Sequence, residues 1–435
     1  MKRTLIEETP KLVGKKIRLC GWVNSRRDHG QLVFIDLRDR TGLVQLVGQK
    51  ELGELKLESV VEIEGLVQKR PAKLVNEKLL TGFIEVAVKK LKVLSSAVTP
   101  PIPVDEKGEG KVLLAKRLDW RWLDLRKPEN LLIFRVWTKM EAAMRQFWLE
   151  HGFTQIHSPK FMNAPSETGA ELFEVKYFKG KAYLAQSPQF YKQMAMASGF
   201  ERVFEIGPVF RDNPSFTSRH DTEFTMVDVE ISFVESHEDV MKVLEELLNF
   251  TLKAIKEEFG KEIKKAFGRE LVVPKLPFPR LTMKQAKELL AKAGEKSHEP
   301  DLTSKEEKIL GQLVKKKFGH EFVIVKDYPW EVRPFYHMRY EENQDLTKSF
   351  DLIWSGLEIV TGAQREHRYE VLKSQAKEKG LSLGPIEHYL NFFKFGCPPH
   401  GGFGLGPTRM LMKILDKKNV REVTFVYRGV NRLTP

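Results

Sequence analysis

Cysteine is nearly absent from this chain: Cys20 and Cys397 are the only two in 435 residues, and they lie far apart in sequence. That excludes a disulfide framework and fits a reducing compartment, so a cytoplasmic location is expected. No apolar run approaches the ~20 residues needed to span a bilayer, and no membrane anchoring is implied. The opening MKRTLIEETPKLVGKK lacks the apolar stretch and small-residue cleavage site of a secretory signal. No GxxxxGK[ST] phosphate loop occurs, and the one glycine-rich turn of note does not follow a strand leading into a Rossmann crossover, so the two commonest nucleotide folds lose support. Internal repeats and low-complexity tracts are also lacking.

What is present is a folded, basic protein. The length exceeds one ordinary domain, at roughly 100–200 residues per domain. Lysine and arginine outnumber the acids by 72 to 59, a net charge of +13. Such a field concentrates polyanions and makes nucleic acid a reasonable partner, although runs such as KKLK also decorate helix faces and composition alone does not decide. The stretches 255–275 and 292–320 are lysine-rich and say nothing about chemistry by themselves.

From Lys16 to about Leu94, apolar and polar residues alternate in five short runs: KIRLCGWV, QLVFIDLRD, GLVQLVG, VVEIEGLVQK and FIEVAVKKLKVL. Period-two alternation predicts half-buried strands. ELGELKLES, between the third and fourth, suits a short helix. That order is the order of an OB-fold barrel, a common carrier of single-stranded nucleic acid, though another small β-barrel remains open. Thr99-Pro100-Pro101-Ile102-Pro103 then breaks the pattern, because successive prolines cannot feed a sheet ladder. We expect a barrel domain over 1–98, a linker over 99–128 and a second domain over 129–435. The second opens with an amphipathic helix over 131–151 ending at Gly152, and continues as a mixed, mostly antiparallel sheet flanked by helices: an α+β domain.

Four segments carry residues suited to chemistry. In VFEIGPVFRDNPSFTSRHDTEFTMVDVE, Arg211 closes one strand, Arg219 and His220 occupy a polar loop, and the two-residue period puts Phe224, Met226 and Asp228 on one face. In GFGLGPTRM, Gly404 and Gly406 permit close backbone approach and Arg409 opens a helix whose N-terminus suits phosphate. In SFDLIWSGLEIVTGAQREHR, a two-residue turn at Ser355-Gly356 would set Ile353 opposite Glu358 and Asp351 opposite Val360, with both carboxylates on one side of the sheet. Two such acids suggest Mg²⁺ on nucleotide phosphates; Thr361, of opposite parity to Glu358, joins them only through a bulge or strand end. In AQSPQFYKQMAMASG, Ser187 is expected at a helix cap with Pro188 in the first turn, presenting Gln189 and Lys192 on one face, where a lysine beside a glutamine suits a carboxylate. Each segment also has an ordinary structural reading: a charged hairpin loop, a glycine turn, a salt-bridged surface hairpin, an exposed helix lysine.

Together, and in this order, the segments resemble the class II aminoacyl-tRNA synthetases, whose three sequence motifs would be GFTQIHSPKF around Pro159, the FRD…RH…EF segment and GLGPTR. The leading OB-fold narrows the resemblance to the subclass handling aspartate, asparagine and lysine, and it covers nearly the whole chain. QSPQFYKQ and GAQREHR look like the archaeal-type aspartate enzymes, and no room exists for the large insertion of many bacterial ones. The resemblance implies Lys192 and Arg365 on the side-chain carboxylate of L-aspartate, Glu167 and Asp228 on its α-amino group, and Ser187 and Gln189 lining the pocket. For ATP it implies Arg211 on the α-phosphate, Phe224 under adenine, Arg219 and His220 near the outer phosphates and Arg409 on the γ-phosphate. Asp351, Glu358 and the Thr361 hydroxyl would then be ligands of Mg²⁺. Asn213 stands where the family usually has an acid, with Asp212 beside it.

GWVNSRRDHG and LVFIDLRDRTGLVQLV look like a bacterial form of the anticodon-binding barrel, with Phe34 stacking on a base, Gln45 hydrogen-bonding another and Arg27 a further contact; Phe34 as barrel core is the bland alternative. The family further implies a homodimer with Pro159 near the two-fold axis. The expected activity is ATP-dependent activation of aspartate and its transfer to tRNA-Asp, and whether tRNA-Asn is a second acceptor stays open. Two rivals stay open: an asparagine–tRNA ligase, which Lys192 opposes, and a catalytically idle tRNA-binding relative, for which an ATP–Mg²⁺ site would have no use.

Overall fold

Alternation along Lys16–Asp28 turns Ile17, Leu19 and Val23 into one interior, and the same parity recurs in four further strands. These are β1 (Lys16–Asp28), β2 (Val33–Asp39), β3 (Gly42–Gly48), β4 (Val60–Lys69) and β5 (Ile84–Ser95), which close into a barrel in the order β1-β2-β3-β5-β4. This is the expected OB-fold. The segment after β3 is only a 3₁₀ turn, Lys50–Glu54, shorter than the helix predicted: Leu52 and Leu55 join the barrel core while Leu57 stays exposed, so one turn exhausts its buried face. The computed structural model describes residues 1–77, 79–104, 112–164, 172–214 and 217–435, and divides into two units, Met1–Lys127 and Pro128–Pro435.

Much of the stretch read as a linker belongs to the first unit. Ile102, Val104 and Leu123 form a small cluster of their own, and Arg126 donates to the Glu58 carboxylate at 2.8 Å, where Arg38 is already paired. The apolar residues among the prolines, Ile102 and Val104, are buried rather than solvated.

The second unit opens with α1 (Pro128–Glu150), three residues earlier than the apolar spacing suggested. Proline suits a first helical turn because that turn's amides lack partners within the helix. An eight-stranded sheet follows. Its strands are β6 (Thr154–Gln155), β7 (Arg202–Phe210), β8 (Glu223–Ser232), β9 (Arg280–Thr282), β10 (Phe322–Lys326), β11 (Ser349–Trp354), β12 (Leu357–Arg365) and β13 (His400–Leu405). They lie in the order β9-β10-β11-β12-β13-β8-β7-β6, antiparallel except for the edge pairs β9/β10 and β6/β7. Against one face pack α1 and a long helix, α2 (His237–Phe267), which is started by a Ser236/Asp239 capping box and stopped by Gly268 in the left-handed region. Ile255, Phe259 and Ile263 of this helix are core residues, so the lysine-rich stretch beginning at 255 is only outwardly peripheral. No helix among the described residues is long and apolar enough to cross a membrane.

Strand parity divides the sheet between two tasks. Val227, Val229 and Ile231 of β8 and Phe403 and Leu405 of β13 enter the core, which leaves Met226, Asp228 and Glu230, with Gly402 and Gly404 beside them, on the opposite face. Glycine is required there. A Cβ at Gly402 would sit 2.0 Å from the Val229 carbonyl oxygen and 2.3 Å from Glu230 Oε2. Gly402→Ala should therefore separate β13 from β8 and cost about 3 kcal/mol or more in urea unfolding; a loss under about 1 kcal/mol would show that the strands can part without penalty.

Candidate active site

The face opposite the core carries a cleft of about 380 Å³. A cross-strand row runs beneath it over five strands: Asp351 pairs with Thr361, Thr361 with Gly404, Gly404 with Asp228 and Asp228 with Glu205, and the three middle members, Thr361, Gly404 and Asp228, line the cleft. Gly404 is the gap in the middle, where a Cβ would strike Met226 Cε at 2.2 Å. Gly406, by contrast, meets nothing nearer than 3.7 Å; it serves as the cap residue ahead of Pro407 at the start of the helix Pro407–Ile414, which carries Arg409 in its first turn.

At one end of the cleft, two cations share two buried acids. The Lys192 ammonium donates to Asp228 Oδ1 at 3.0 Å and lies 3.3 Å from Glu230 Oε2. The Arg365 guanidinium donates from Nε to Glu230 Oε1 at 3.0 Å, from Nη2 to the Gly402 carbonyl at 3.1 Å and from Nη1 to His337 Nε2 at 2.9 Å. All are at most 3% exposed. Burial alone would raise the Glu230 carboxyl, but Arg365 and Lys192 outweigh it and hold Glu230 below the usual carboxylate range. Asp228 goes the other way: burial exceeds the help from Lys192 and pushes it up. The helix Gln189–Ala197 that presents Lys192 is pinned by a relay in which Gln189 Nε2 donates to Gln193 Oε1 at 2.8 Å and the Tyr389 hydroxyl donates to the same oxygen at 2.9 Å. Its cap residue is Pro188 rather than Ser187, one position later than expected. The Pro188 carbonyl takes the amides of Tyr191 and Lys192, while Ser187 Oγ accepts a long bond from the Gln189 amide, at 3.3 Å.

At the other end lie the groups suited to a triphosphate. The Arg211 guanidinium stands 5.5 Å from the Phe224 ring centre. Arg219 is held by both oxygens of Glu307 at 2.9 Å, and Glu307 also accepts from the Glu358 amide at 3.0 Å. Arg409 donates to the Glu358 carbonyl at 3.1 Å and to its carboxylate at 3.3 Å. Partial burial, then Arg409 and Arg219, push His220 down to about 4, so its ring is uncharged at neutral pH. The turn at 355–356 does set Ile353 opposite Glu358, but a bulge follows and Asp351 faces Thr361 instead of Val360. That bulge brings the Thr361 hydroxyl to 3.3 Å from Glu358 Oε1. Asp351 is turned into a bond from Arg333 at 2.6 Å and does not line the cleft, although burial raises it to about 6.

The comparisons bear on this geometry. Residues 114–427 match the family model for class II tRNA synthetases (D, K and N), and residues 17–94 match that for the OB-fold nucleic acid binding domain. The chain is 42% identical to the aspartate–tRNA(Asp) ligase of Pyrococcus abyssi, covering 99% of this chain and 98% of that one. It is 45% identical to the aspartate–tRNA(Asp/Asn) ligase of Methanopyrus kandleri, covering 98% of each. It belongs to the class II tRNA synthetases. An asparaginyl-tRNA synthetase from Pyrococcus horikoshii, solved with asparaginyl-adenylate, superposes with a TM-score of 0.91 at 32% identity, with all of both chains covered. The fold of this synthetase therefore does not by itself separate aspartate from asparagine.

Of the residues singled out in the catalytic unit, Arg211, Arg219, His220, Phe224, Gly404, Gly406 and Arg409 line the cleft. So do Ser187, Gln189, Lys192, Asp228, Arg365, Glu358 and Thr361, and Asn213 with them. Glu167 lies outside the described residues. Pro159 is exposed in the loop after β6. In the barrel, Arg27 is paired across the strands with Phe34, and Phe34 faces away from the core formed by Val33, Ile35 and Leu37. Gln45 is buried, donating to Glu85 at 2.9 Å and accepting from Arg70 at 2.9 Å and Arg27 at 3.3 Å. Sequence reasoning missed Glu230, Glu307, Arg333 and His337. Glu230 shares the parity of Asp228 and was open to the same argument; Glu307 sits in a lysine-rich helix, Ser304–Phe318, and nothing local marks it.

Asp221 also lines the cleft, and burial raises it from 3.8 to about 7. A raised carboxyl favours folding fully below its unfolded value and loses that contribution as pH climbs through about 7. Asp221→Asn, which keeps the shape without the charge, should thus leave stability unchanged near pH 4 and raise it by about 2 kcal/mol at pH 8 in urea titrations. Equal effects at both pH values would place the Asp221 carboxyl in an ordinary environment.

Proposed function

We propose that this synthetase activates L-aspartate with ATP to give aspartyl-adenylate and transfers the aspartyl group to the 3′ end of tRNA-Asp, with tRNA-Asn as a second acceptor. The observation that carries the reading is the charge balance at Lys192 and Arg365. In the free protein these two cations face two carboxylates, Asp228 and Glu230. Aspartate adds one ammonium and one side-chain carboxylate and leaves the centre balanced. Asparagine adds only the ammonium and leaves a buried positive charge without its partner, which is costly in a low dielectric.

In this reading the α-ammonium meets Asp228, whose raised carboxyl a second cation would hold ionised. The α-carboxylate, already ionised, needs no general base; it forms a bond to the α-phosphorus in line as the bond to pyrophosphate breaks. Arg211 and Arg409 offset charge on the phosphate oxygens, and Arg219 reaches the outer phosphates by leaving Glu307. Glu358 and Thr361 offer hard oxygen donors at the cleft edge, a set that fits Mg²⁺ completing its shell with phosphate oxygens. When bound, that ion would neutralise phosphate charge. Among the described residues no group of three His, Cys, Asp or Glu comes together to hold a metal ion. Asp351, held by Arg333, would support this edge from behind rather than ligate directly. The 3′-hydroxyl of tRNA then attacks the adenylate and AMP departs.

Arg27, Phe34 and Gln45 are proposed to read the anticodon, Phe34 by stacking from the outer barrel face. Exposed Pro159 is proposed to lie at a homodimer axis. Both relatives' names support tRNA-Asp, and that of the tRNA(Asp/Asn) ligase alone supports tRNA-Asn. Pyrophosphate exchange should respond to aspartate and not to asparagine, and Lys192→Met should lower the aspartate response at least about 100-fold. Exchange driven by asparagine would replace this reading with the asparagine ligase, and none with either amino acid would leave a binding protein. Charging of purified tRNA-Asp and tRNA-Asn decides the acceptor range: we expect both, and product on tRNA-Asp alone would confine the chain to one.

A further inference from the structure

We propose that His337 is a positioning residue for aspartate selection: its Nε2 lone pair takes a hydrogen bond from Arg365 and, with Glu230 and the Gly402 carbonyl, fixes the plane of the guanidinium that receives the substrate carboxylate. The proposal rests on the reading of Arg365 given above. A guanidinium bound only through Nε to Glu230 could still swing about that bond. Bonds from Nη1 to His337 and from Nη2 to Gly402 add two further points, and three points define a plane. A planar fork recognises a carboxylate by orientation as much as by charge, so a freely turning guanidinium would lose part of its binding to alignment.

The chemistry of the contact sets the state of the ring. Every arginine N–H is a donor, so Nε2 of His337 must be an acceptor and the ring proton must reside on Nδ1. A charged imidazolium would lose the bond and set like charge beside Arg365. The surroundings agree: burial, then Arg365, Arg333 and Lys192, push His337 well below the ordinary histidine range.

The backbone holds the ring where the contact needs it. His337 forms a β-bridge with Arg365 itself, the Glu366 amide donates to the Tyr336 carbonyl at 2.9 Å, and the Met338 amide donates to the Gln364 carbonyl at 3.0 Å. Gln375 ties the loop from behind, donating to the carbonyls of Phe335 at 2.6 Å and His337 at 3.1 Å. The Tyr336 ring centre lies 5.6 Å from the same guanidinium. The same loop begins with Arg333 on Asp351, so one short segment supports both ends of the cleft.

The test is pyrophosphate exchange by His337→Phe, His337→Gln and Arg365→Lys, alone and as the His337→Phe/Arg365→Lys pair. His337→Phe removes the acceptor and should raise KM for aspartate about tenfold, with kcat and KM for ATP within about twofold. His337→Gln returns an acceptor oxygen and should recover most of that loss. In the Arg365→Lys background, His337→Phe should add less than about twofold, because the guanidinium it positions is gone. Equal losses in kcat and thermal stability for both His337 variants, or full additivity with Arg365→Lys, would overturn the proposal and leave His337 a packing residue. An Arg365→Lys enzyme with unchanged KM for aspartate would instead sink the assignment of Arg365, which separates that failure from this one.

Discussion

A single buried carboxylate, Glu230, organises the specificity end of this molecule. With no exposed surface, it survives ionised only because Lys192 and Arg365 flank it, and they remain charged and ordered in a dry site because Glu230 and Asp228 face them. Isolated, any of these groups would be expelled or neutralised, since the desolvation cost of one buried charge is several kcal/mol. As a set they form a paired, buried arrangement, which in the proposed reading takes one further ammonium and one further carboxylate.

The sheet makes that arrangement possible. Its two-residue period sends Val227, Val229 and Ile231 into the core beneath α1 and α2, and Met226, Asp228 and Glu230 to the opposite face, where Met226 and Asp228 line the cleft. Glycines on β13 leave the space those acids occupy. The β12 bulge reverses local parity so that Thr361 and Glu358 meet, which puts a hydroxyl and a carboxylate at the phosphate end. Two of the arginines proposed for the nucleotide are held on acids, Arg219 on Glu307 and Arg409 on Glu358, so in that reading ATP would exchange one set of ion pairs for another.

Much of this was legible in the sequence because it rests on periodicity. The barrel strands, the β7/β8 pair with its Phe224-Met226-Asp228 face and the β11/β12 hairpin all follow from alternation and turn chemistry. Apart from Glu230, which shares the parity of Asp228, what failed to show lies where strand alternation gives no signal. Arg333 and His337 sit in an irregular loop, and Glu307 comes from a helix whose composition resembles a solvated surface. The pairing of Asp351 with Arg333 escaped because the bulge shifts register by one residue and because a partner eighteen positions away carries no local signal. The length of the linker was misjudged for a related reason: Ile102, Val104 and Leu123 are apolar residues scattered without period, and only contact in three dimensions shows them packed.

The most direct measurement is a crystal structure with a non-hydrolysable aspartyl-adenylate analogue. The account predicts the aspartyl carboxylate within hydrogen-bond distance of both the Lys192 ammonium and the Arg365 guanidinium, with Glu230 still bound to Arg365. A carboxylate seated elsewhere in the cleft, with Lys192 and Arg365 engaged only by Asp228 and Glu230, would contradict it.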